Sequence, residues 1–240
     1  MAILNQNVEV LADKAALVDR AYEIVVEKIK KAIAKQDLFT IALAGGSTPK
    51  PLYEALAKAD LPWSKIHIFW GDERYVPADS PDSNQLMTRQ AWLDKIDIPA
   101  DNVHPMETTG ENPAQDAQRH EAELSRFFKN ESGLPQFDLI LLGMGDDGHT
   151  ASLFPQTEAL AVEDSLVTVG NHQGQPRLTF TVPLINQADC VIFLVAGENK
   201  RPALKQVFAT QGDAQQYPSR LIQPQGELLW LLDRSAAEEL

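Results

Sequence analysis

The sequence has a single cysteine, Cys190, so the chain cannot form a disulfide within itself. Cys190 lies in the apolar stretch DCVIFLVA at residues 189–196, a setting typical of a buried and unreactive thiol. Long apolar runs are also missing, because no stretch approaches the roughly 18 residues that a helix needs to span a bilayer. The first residues, MAILNQNVEV, lack the basic and then apolar segments of a signal peptide. We therefore expect a cytoplasmic protein without a membrane-spanning segment.

Positive charge is scarce as well. The chain has 21 lysine and arginine residues and 34 aspartate and glutamate residues, which gives a net charge of −13. A surface of this kind repels phosphodiester backbones and anionic lipid headgroups, so we expect neither a nucleic acid nor a membrane as partner. A small anionic metabolite is not excluded, because a few local cations can outweigh a distributed negative field. The acidity otherwise serves solubility.

Linkers, internal repeats and low-complexity tracts are absent, so the sequence predicts one domain over residues 1–240. Apolar runs and amphipathic segments alternate along the chain, which favours an α/β fold with a mainly parallel sheet and helices on both faces. Predicted strands cover residues 38–44, 65–70, 139–142, 175–181, 189–196 and 227–232. Predicted helices lie near residues 18–33, 84–93, 113–129 and 201–210, and one more begins at Pro49. The last residues, DRSAAEEL, are expected to be frayed.

The segment that organises the chain is FDLILLGMGDDGHTASLFP, at residues 137–155. Its short apolar run ends abruptly at glycines, a pattern typical of a strand buried on both faces. Asp146, Asp147 and His149 follow directly, and ligands of open α/β sheets bind outside the carboxyl ends of the strands. An imidazole can take a proton from water and return it to a leaving oxygen, and a nearby carboxylate can orient the ring or favour the imidazolium. The sequence thus predicts acid–base catalysis by His149 and Asp147.

Other chemistries fit this segment less well. A zinc site would have only two ligands here, Asp147 and His149, because no third ligand lies near them in the sequence. A serine nucleophile at Ser152 lacks the G-x-S-x-G setting. His104 and His120 have no partner at a metal-ligand spacing. His67 lies inside a predicted strand and is interpreted as a structural histidine. We therefore predict no metal site.

A second glycine-rich turn follows residues 38–44 and precedes a helix; its residues are Gly45, Gly46, Ser47 and Thr48. Thr48 suits the N-cap and Pro49 the first helical position, where its missing N–H costs nothing. Glycines allow a close backbone approach, and the unpaired N–H groups at a helix amino terminus favour an anion, which predicts a phosphate-binding turn. The turn matches neither nucleotide-binding glycine motif, and an ordinary strand-to-helix turn remains the alternative.

Two cations follow other predicted strands. Arg74 comes after the strand at residues 65–70, and its planar guanidinium suits a bidentate bond to phosphate. Lys200 comes after the next-to-last predicted strand, at the start of a helix, and is a second candidate phosphate ligand. Pairing of Arg74 with Asp72 or Glu73 alone is the alternative interpretation. The shared position of these cations at strand ends favours one anion pocket beside the acid–base pair.

Five motifs resemble the 6-phosphogluconolactonase family and run in the same order along the chain: LAGGSTP, GDERYVP, GMGDDGHTASLFP, PRLTFT and AGENK. The third motif, at residues 143–155, is highly specific, whereas GGSTP alone is much less so. The resemblance extends from about residue 40 to the terminal ELLWLLD. It implies a Rossmann-like sheet of the kind shared with glucosamine-6-phosphate deaminase, and it implies that no cofactor is needed.

The resemblance implies hydrolysis of a sugar phosphate lactone, 6-phospho-D-glucono-1,5-lactone, to 6-phosphogluconate, the second step of the oxidative pentose phosphate pathway. By similarity, His149 is the general base and Asp147 positions it. Arg74 and Lys200 hold the phosphate, and Arg177, which precedes the LTFT-like strand, is a substrate contact. The protein is expected to act as a monomer.

Two other functions remain open. An amino-sugar phosphate isomerase-deaminase would carry a glutamate five residues after the histidine, where this chain has Phe154, a side chain with no proton to offer. A sugar-phosphate sensor of the kind found in some transcriptional regulators would need an added DNA-binding domain, for which we expect no room. Phe154 and the net charge of −13 favour the lactonase.

Overall fold

A computed structural model of the chain describes residues 7–129 and 134–240, which form two β-sheets and their flanking helices. Within these ranges the larger sheet has seven strands, and every neighbouring pair in it is parallel. Its strands are β1 (Asn7–Leu11), β2 (Phe39–Leu43), β3 (Ile66–Trp70), β5 (Val103–His104), β6 (Leu139–Leu142), β9 (Cys190–Val195) and β10 (Glu227–Asp233). They lie in the order β1-β10-β9-β6-β2-β3-β5, so the direction of winding reverses between β2 and β6. Ligands of such sheets bind beside this reversal, at the carboxyl ends of the strands.

Helices cover both faces of the larger sheet. One face carries α1 (Lys14–Gln36), α2 (Lys50–Leu56) and α3 (Asn84–Ala91), and the other α4 (Pro113–Phe128), α5 (Val182–Asn186), α6 (Arg201–Val207) and α7 (Arg234–Ala237). Successive side chains of β6 enter opposite cores, with Leu139 and Leu141 on the first face and Ile140 and Leu142 on the second. The predicted α/β fold, a Rossmann-like single domain with a mainly parallel sheet between two helical layers, is therefore confirmed.

The longest helix, α1, shows why the amphipathic segments fold as they do. Its apolar positions Val18, Val25 and Ile29 are buried against the sheet, and the side chain of Asp13 caps the start by accepting a hydrogen bond from the N–H of Ala16. Fully burying side chains of this size contributes roughly 1.5–3 kcal/mol each, so packing rather than helix propensity stabilises α1. None of the helices in the described ranges is long and apolar enough to cross a membrane.

Cys190 lies at the start of β9 and is buried, as predicted. Burial raises the pKa of its thiol to about 11. The thiol therefore stays protonated at neutral pH and behaves as a small apolar side chain.

A second, smaller sheet was not predicted. It contains the antiparallel strands β4 (Asp72–Arg74), β8 (Gln175–Phe180) and β7 (Val167–His172), in that order. The strand predicted at residues 175–181 exists as β8, and it pairs here rather than in the larger sheet. Its partner β4 consists of three charged residues that have no apolar pattern of their own, so only the distant β8 makes it a strand.

The expectation of a frayed carboxyl terminus is wrong. The last residues form the short helix α7, in which the N–H of Ala236 donates to Asp233 at 2.8 Å and Ala236 itself is buried. Asp233 is an N-cap at the end of β10, a signal that the sequence contains and that the prediction overlooked. At the other end of the chain, the alternating residues near Val8 form the edge strand β1.

The fold brings His67, His104 and His120 into one cluster, which their spacing in the sequence did not predict. His67 Nδ1 lies 3.0 Å from His104 Nε2, which confirms the structural interpretation of His67. His104 Nδ1 lies 2.9 Å from one oxygen of Glu123, and His120 Nδ1 lies 3.3 Å from the other without hydrogen-bond geometry. These four side chains, on β3, β5 and α4, we call the histidine cluster. It sits at the β5 edge of the sheet.

The histidine cluster is expected to make the protein less stable in acid. Burial, together with the neighbouring His104, lowers the pKa of His67 to about 4. Because an unfolded histidine titrates near pH 6.5, the unfolded chain binds more protons at this site, and stability falls as the pH drops from about 6.5 towards 4. Burial opposes ionisation of Glu123, but its hydrogen bond with His104 and the nearby ring of His120 lower its pKa to about 2, so a further loss of stability follows below about pH 4.5.

Urea unfolding at several pH values tests this expectation. His67→Gln keeps a polar partner for His104 but removes the titrating ring, so the free energy of unfolding should vary less between pH 6.5 and pH 4 than in the wild type. Equal pH dependence of the two proteins over this interval would show that His67 is not a source of the acid sensitivity.

Candidate active site

The carboxyl ends of β2, β3, β6 and β9 surround one cavity of about 300 Å³. Cavities of this size suit small ligands. All but one of the predicted site residues line it: Gly45, Gly46, Ser47, Thr48, Arg74, His149, Arg177 and Lys200. The remaining residue, Asp147, does not line the cavity but contacts His149. The structure thus brings together segments that are widely separated in the sequence.

His149 is held by Asp147 through both its ring and its backbone. His149 Nδ1 lies 2.6 Å from Asp147 Oδ1, and the backbone N–H of His149 donates to the same oxygen at 3.0 Å. Among the described residues, only Nδ1 of this ring has a hydrogen-bond partner, which leaves Nε2 for a ligand in the cavity. This arrangement is suited to a base whose second nitrogen accepts a proton.

Asp147 remains ionised over the working range of most enzymes. Burial opposes its ionisation, but the hydrogen bonds from the His149 ring and backbone outweigh this and lower the pKa of Asp147 to about 2. An ionised carboxylate beside Nδ1 keeps the proton on that nitrogen and the lone pair on Nε2.

The imidazole of His149 also packs against Phe154. The two ring centroids are 4.5 Å apart, and Phe154 also contacts His172 at 4.8 Å between centroids. The guanidinium carbon of Arg177 lies 5.5 Å from the same ring. Phe154 is buried, so the ring of His149 contacts both an apolar surface and a carboxylate. His172, the last residue of β7, was not among the predicted site residues, because a single histidine with no motif around it gives no sequence signal.

Gly145 allows this arrangement because it has no side chain. A Cβ atom at this position would lie 2.1 Å from His149 Nδ1 and 2.7 Å from Asp147 Oδ1. The backbone N–H of Gly145 also donates to the carbonyl of His149 at 2.8 Å, which closes the loop around the ring. Glycine is required here by close packing and not by a left-handed backbone.

Gly145→Ala is therefore expected to displace the imidazole and to lower kcat by about 100-fold, since a shift of about 1 Å in a reacting group can cost that much. Gly143→Ala is the matched change in the same loop, because a Cβ there meets nothing within 4 Å. Steady-state kinetics and thermal melts of both variants measure the effect. Equal activity of the two variants, at equal stability, would contradict the close-packing role of Gly145.

Arg74 and Arg177 face each other across the small sheet, where β4 and β8 pair them directly. Arg74 Nη1 donates to the backbone carbonyl of Asp82 at 2.7 Å, whereas its Nε is buried without a hydrogen-bond partner. Within residues 7–129 and 134–240, no carboxylate lies within 4 Å of either guanidinium. Like charges opposite each other on paired strands destabilise a sheet, and an anion between them would relieve the repulsion.

The alternative pairing of Arg74 with Asp72 or Glu73 is not observed. The carboxylate of Glu73 accepts the backbone N–H groups of Asn84 and Gln85, where it caps the start of α3. Asp72 accepts a hydrogen bond from the Ser152 hydroxyl at 2.6 Å. Both neighbouring acids are thus committed elsewhere, and the arginine faces the cavity without them.

Asp72 is a cavity residue that the sequence analysis did not select. It is buried and lines the cavity, and its charge acts on Arg177. Burial lowers the pKa of Arg177 while Asp72 opposes that shift, so Asp72 helps to keep the guanidinium charged. The only sequence signal that could have identified Asp72 as a cavity residue was its position just after the strand predicted at residues 65–70.

The glycine-rich turn differs in detail from its prediction. Helix α2 begins at Lys50, with Pro49 in the capping position and no side-chain cap, so Thr48 is not the N-cap. Gly46 has a φ of 96°, which explains the glycine there. At Gly45 a side chain would clash with a neighbour, because a Cβ atom would lie 1.9 Å from the side-chain oxygen of Asn84.

Lys200 and the second aspartate of the central motif meet on the other side of the cavity. Lys200 Nζ lies 2.5 Å from Asp146 Oδ1, and Asn199 Nδ2 donates to the same oxygen at 2.8 Å. Asp146 and Asp147 therefore hold different partners. Among the residues that the structure describes, no three His, Cys, Asp or Glu side chains are arranged to hold a metal ion.

Comparisons with known proteins show the family of the chain. The family model described as glucosamine-6-phosphate isomerases/6-phosphogluconolactonase matches residues 12–230. A 6-phosphogluconolactonase from Synechocystis sp. is 63% identical, with 97% of this chain and 98% of that protein covered. One from Nostoc sp. is 60% identical, with 99% of each covered.

A solved structure of 6-phosphogluconolactonase from Trypanosoma brucei matches with a TM-score of 0.86 and 33% identity, covering 98% of this chain and 99% of that one. The identity of the relatives is well above what a shared fold alone produces, and the matches extend over nearly the whole chain. The chain therefore belongs to the family of glucosamine-6-phosphate isomerases and 6-phosphogluconolactonases, and within it to the 6-phosphogluconolactonase branch of hydrolases.

Proposed function

We propose that the protein hydrolyses 6-phospho-D-glucono-1,5-lactone to 6-phospho-D-gluconate by water attack that His149 assists. The observation that carries the proposal is that the cavity holds both a carboxylate-bound imidazole and two arginines without carboxylate partners in the described part of the chain. Hydrolysis of a phosphorylated lactone needs both of these features. We further propose that residues 1–240 act as one lactonase domain and as a monomer in the cytoplasm.

The phosphate end of the substrate docks first. Its dianion is bound by Arg74 and Lys200, with the backbone amides of the turn at Gly46, Ser47 and Thr48 as further donors. Arg177, opposite Arg74, contacts the substrate from β8. Fixing the charged end of a flexible ligand places its lactone carbonyl near His149 and removes much of the entropic barrier to reaction.

The chemical step then uses the nitrogen of His149 that Asp147 leaves unoccupied. Nε2 accepts a proton from water while the water oxygen forms a bond to C1, which gives a tetrahedral intermediate. The imidazolium, stabilised by the ionised Asp147, returns the proton to the ring oxygen as the C1–O bond breaks. The product carboxylic acid ionises at neutral pH, so each turnover releases one proton.

An amino-sugar phosphate isomerase-deaminase is the nearest alternative in the same family. Its chemistry needs a further acid–base group beside the histidine, at the position where this chain has Phe154. Phe154 packs against the ring of His149 and offers no proton, so the observed contact favours the hydrolase.

Two assays separate these functions. Freshly prepared 6-phosphogluconolactone should release protons faster with the protein than without it, and glucosamine 6-phosphate should give no ammonia. Ammonia release, or proton release at the spontaneous rate, would refute the proposed function.

A further inference from the structure

Asp146 and Asp147 are neighbours in the sequence, but their carboxylates hold different parts of the site. Asp147 binds the imidazole of His149, whereas Asp146 binds the ammonium group of Lys200. The loop after β6 thus contacts both the expected general base, His149, and an expected phosphate ligand, Lys200. This separation suggests different effects of the two acids on the reaction.

Lys200 is ordered by its contact with Asp146 and by the fixed segment that carries it. Its side chain is 18% exposed, while that of Asp146 is 62% exposed, so the lysine lies beneath its partner at the edge of the cavity. Asn199 donates to the same oxygen of Asp146. The backbone N–H of Gly197 donates to Asp233 at 3.0 Å, which fixes the start of this segment against the end of β10.

We propose that Asp146, supported by Asn199, is a positioning residue that holds the Lys200 ammonium group ready for the phosphate of the substrate. The proposal rests on the function proposed above, since it assigns Lys200 to the phosphate end. A lysine side chain has a flexible four-carbon stem and loses rotamer freedom when it binds a ligand. An anchor that orders the stem beforehand reduces this loss on binding and so increases affinity.

The negative charge of Asp146 acts in the opposite direction, because it repels a phosphate. Asp146 is mostly exposed, so water and salt screen this repulsion. The hydrogen bond from Lys200 lowers the pKa of Asp146, so its carboxylate is ionised at neutral pH. The ordering effect on the mostly buried lysine therefore outweighs the screened repulsion.

The two aspartates should give different kinetic signatures. Asp146→Ala is expected to raise KM for 6-phosphogluconolactone and the inhibition constant of inorganic phosphate by about 2- to 10-fold, the range expected for one side chain that must be ordered on binding. Its kcat, and its kcat/KM for unphosphorylated glucono-1,5-lactone, should stay at wild-type values. Asp147→Ala should instead lower kcat for both lactones. Asn199→Ala should resemble Asp146→Ala with a smaller effect.

Asp60→Ala is the matched control, because it removes an exposed acid away from the cavity and so accounts for the change in net charge. An unchanged KM and phosphate inhibition constant in Asp146→Ala, or a decrease in either, would overturn the proposal. A wild type that turns over no lactone would refute the proposed function instead. Calorimetric titration with inorganic phosphate would then still decide whether Asp146 supports anion binding.

Discussion

His149→Ala is expected to lower kcat for 6-phosphogluconolactone by about 10²- to 10⁴-fold, the usual contribution of general acid–base catalysis. KM should change little, because the imidazole acts on water and on the ring oxygen and does not hold the phosphate. Stopped-flow proton release with freshly prepared lactone measures both constants. Subtraction of the spontaneous reaction is essential, since the lactone also opens in water.

Asp147→Asn provides the companion test of the same pair. The amide cannot stabilise the imidazolium and can favour the wrong tautomer of His149, so kcat should fall while the phosphate contacts remain. Because the pKa of Asp147 is about 2, its carboxylate stays ionised in mild acid, and Asp147→Asn therefore removes a charge that the wild type keeps throughout that range. Rates near those of the wild type in either variant would remove the pair from the mechanism.

Arg74→Ala is expected to raise KM for the phosphorylated lactone by about 10- to 100-fold, since hydrogen bonds to charged groups contribute about 1.5–3 kcal/mol. The physical basis is the buried Nε without a partner and the position of Arg74 directly opposite Arg177. Arg74→Lys should restore only part of the affinity, because an ammonium group cannot form the planar bidentate contact.

Arg89→Ala controls for loss of a positive charge, because Arg89 lies in an exposed ion pair with Asp94 on α3. Activity on unphosphorylated glucono-1,5-lactone provides a second control, and Arg74→Ala should leave it nearly unchanged. A KM for the phosphorylated lactone within twofold of the wild type would contradict the role of Arg74 in phosphate binding.

The larger sheet and the place of the site were predictable because their signals are local. The apolar residues 139–142 end at Gly143. Such a run predicts a buried strand of a parallel sheet and also the residue at which the strand ends. Since parallel strands carry their carboxyl ends to one edge, polar residues after several strands must meet there. Arg74, His149 and Lys200 do so around one cavity.

Features that depend on distant pairs were not predictable from local patterns. The three residues of β4 become a strand only through β8, and this pairing is what places Arg177 opposite Arg74. The sequence assigned a role to Asp147 but none to Asp146, whose contact with Lys200 depends on two segments that lie far apart in the chain. The histidine cluster likewise combines residues of a strand, a two-residue strand and a helix. The contacts between these elements produce no recognisable spacing of histidines in the sequence.

A crystal structure with the product 6-phosphogluconate bound tests the central claim most directly, because the claim is that one ligand reaches both ends of the cavity. The account predicts phosphate oxygens within hydrogen-bond distance of Arg74 and Lys200, and the C1 carboxylate beside Nε2 of His149. A phosphate bound away from those cations, or a carboxylate directed away from the imidazole, would contradict it.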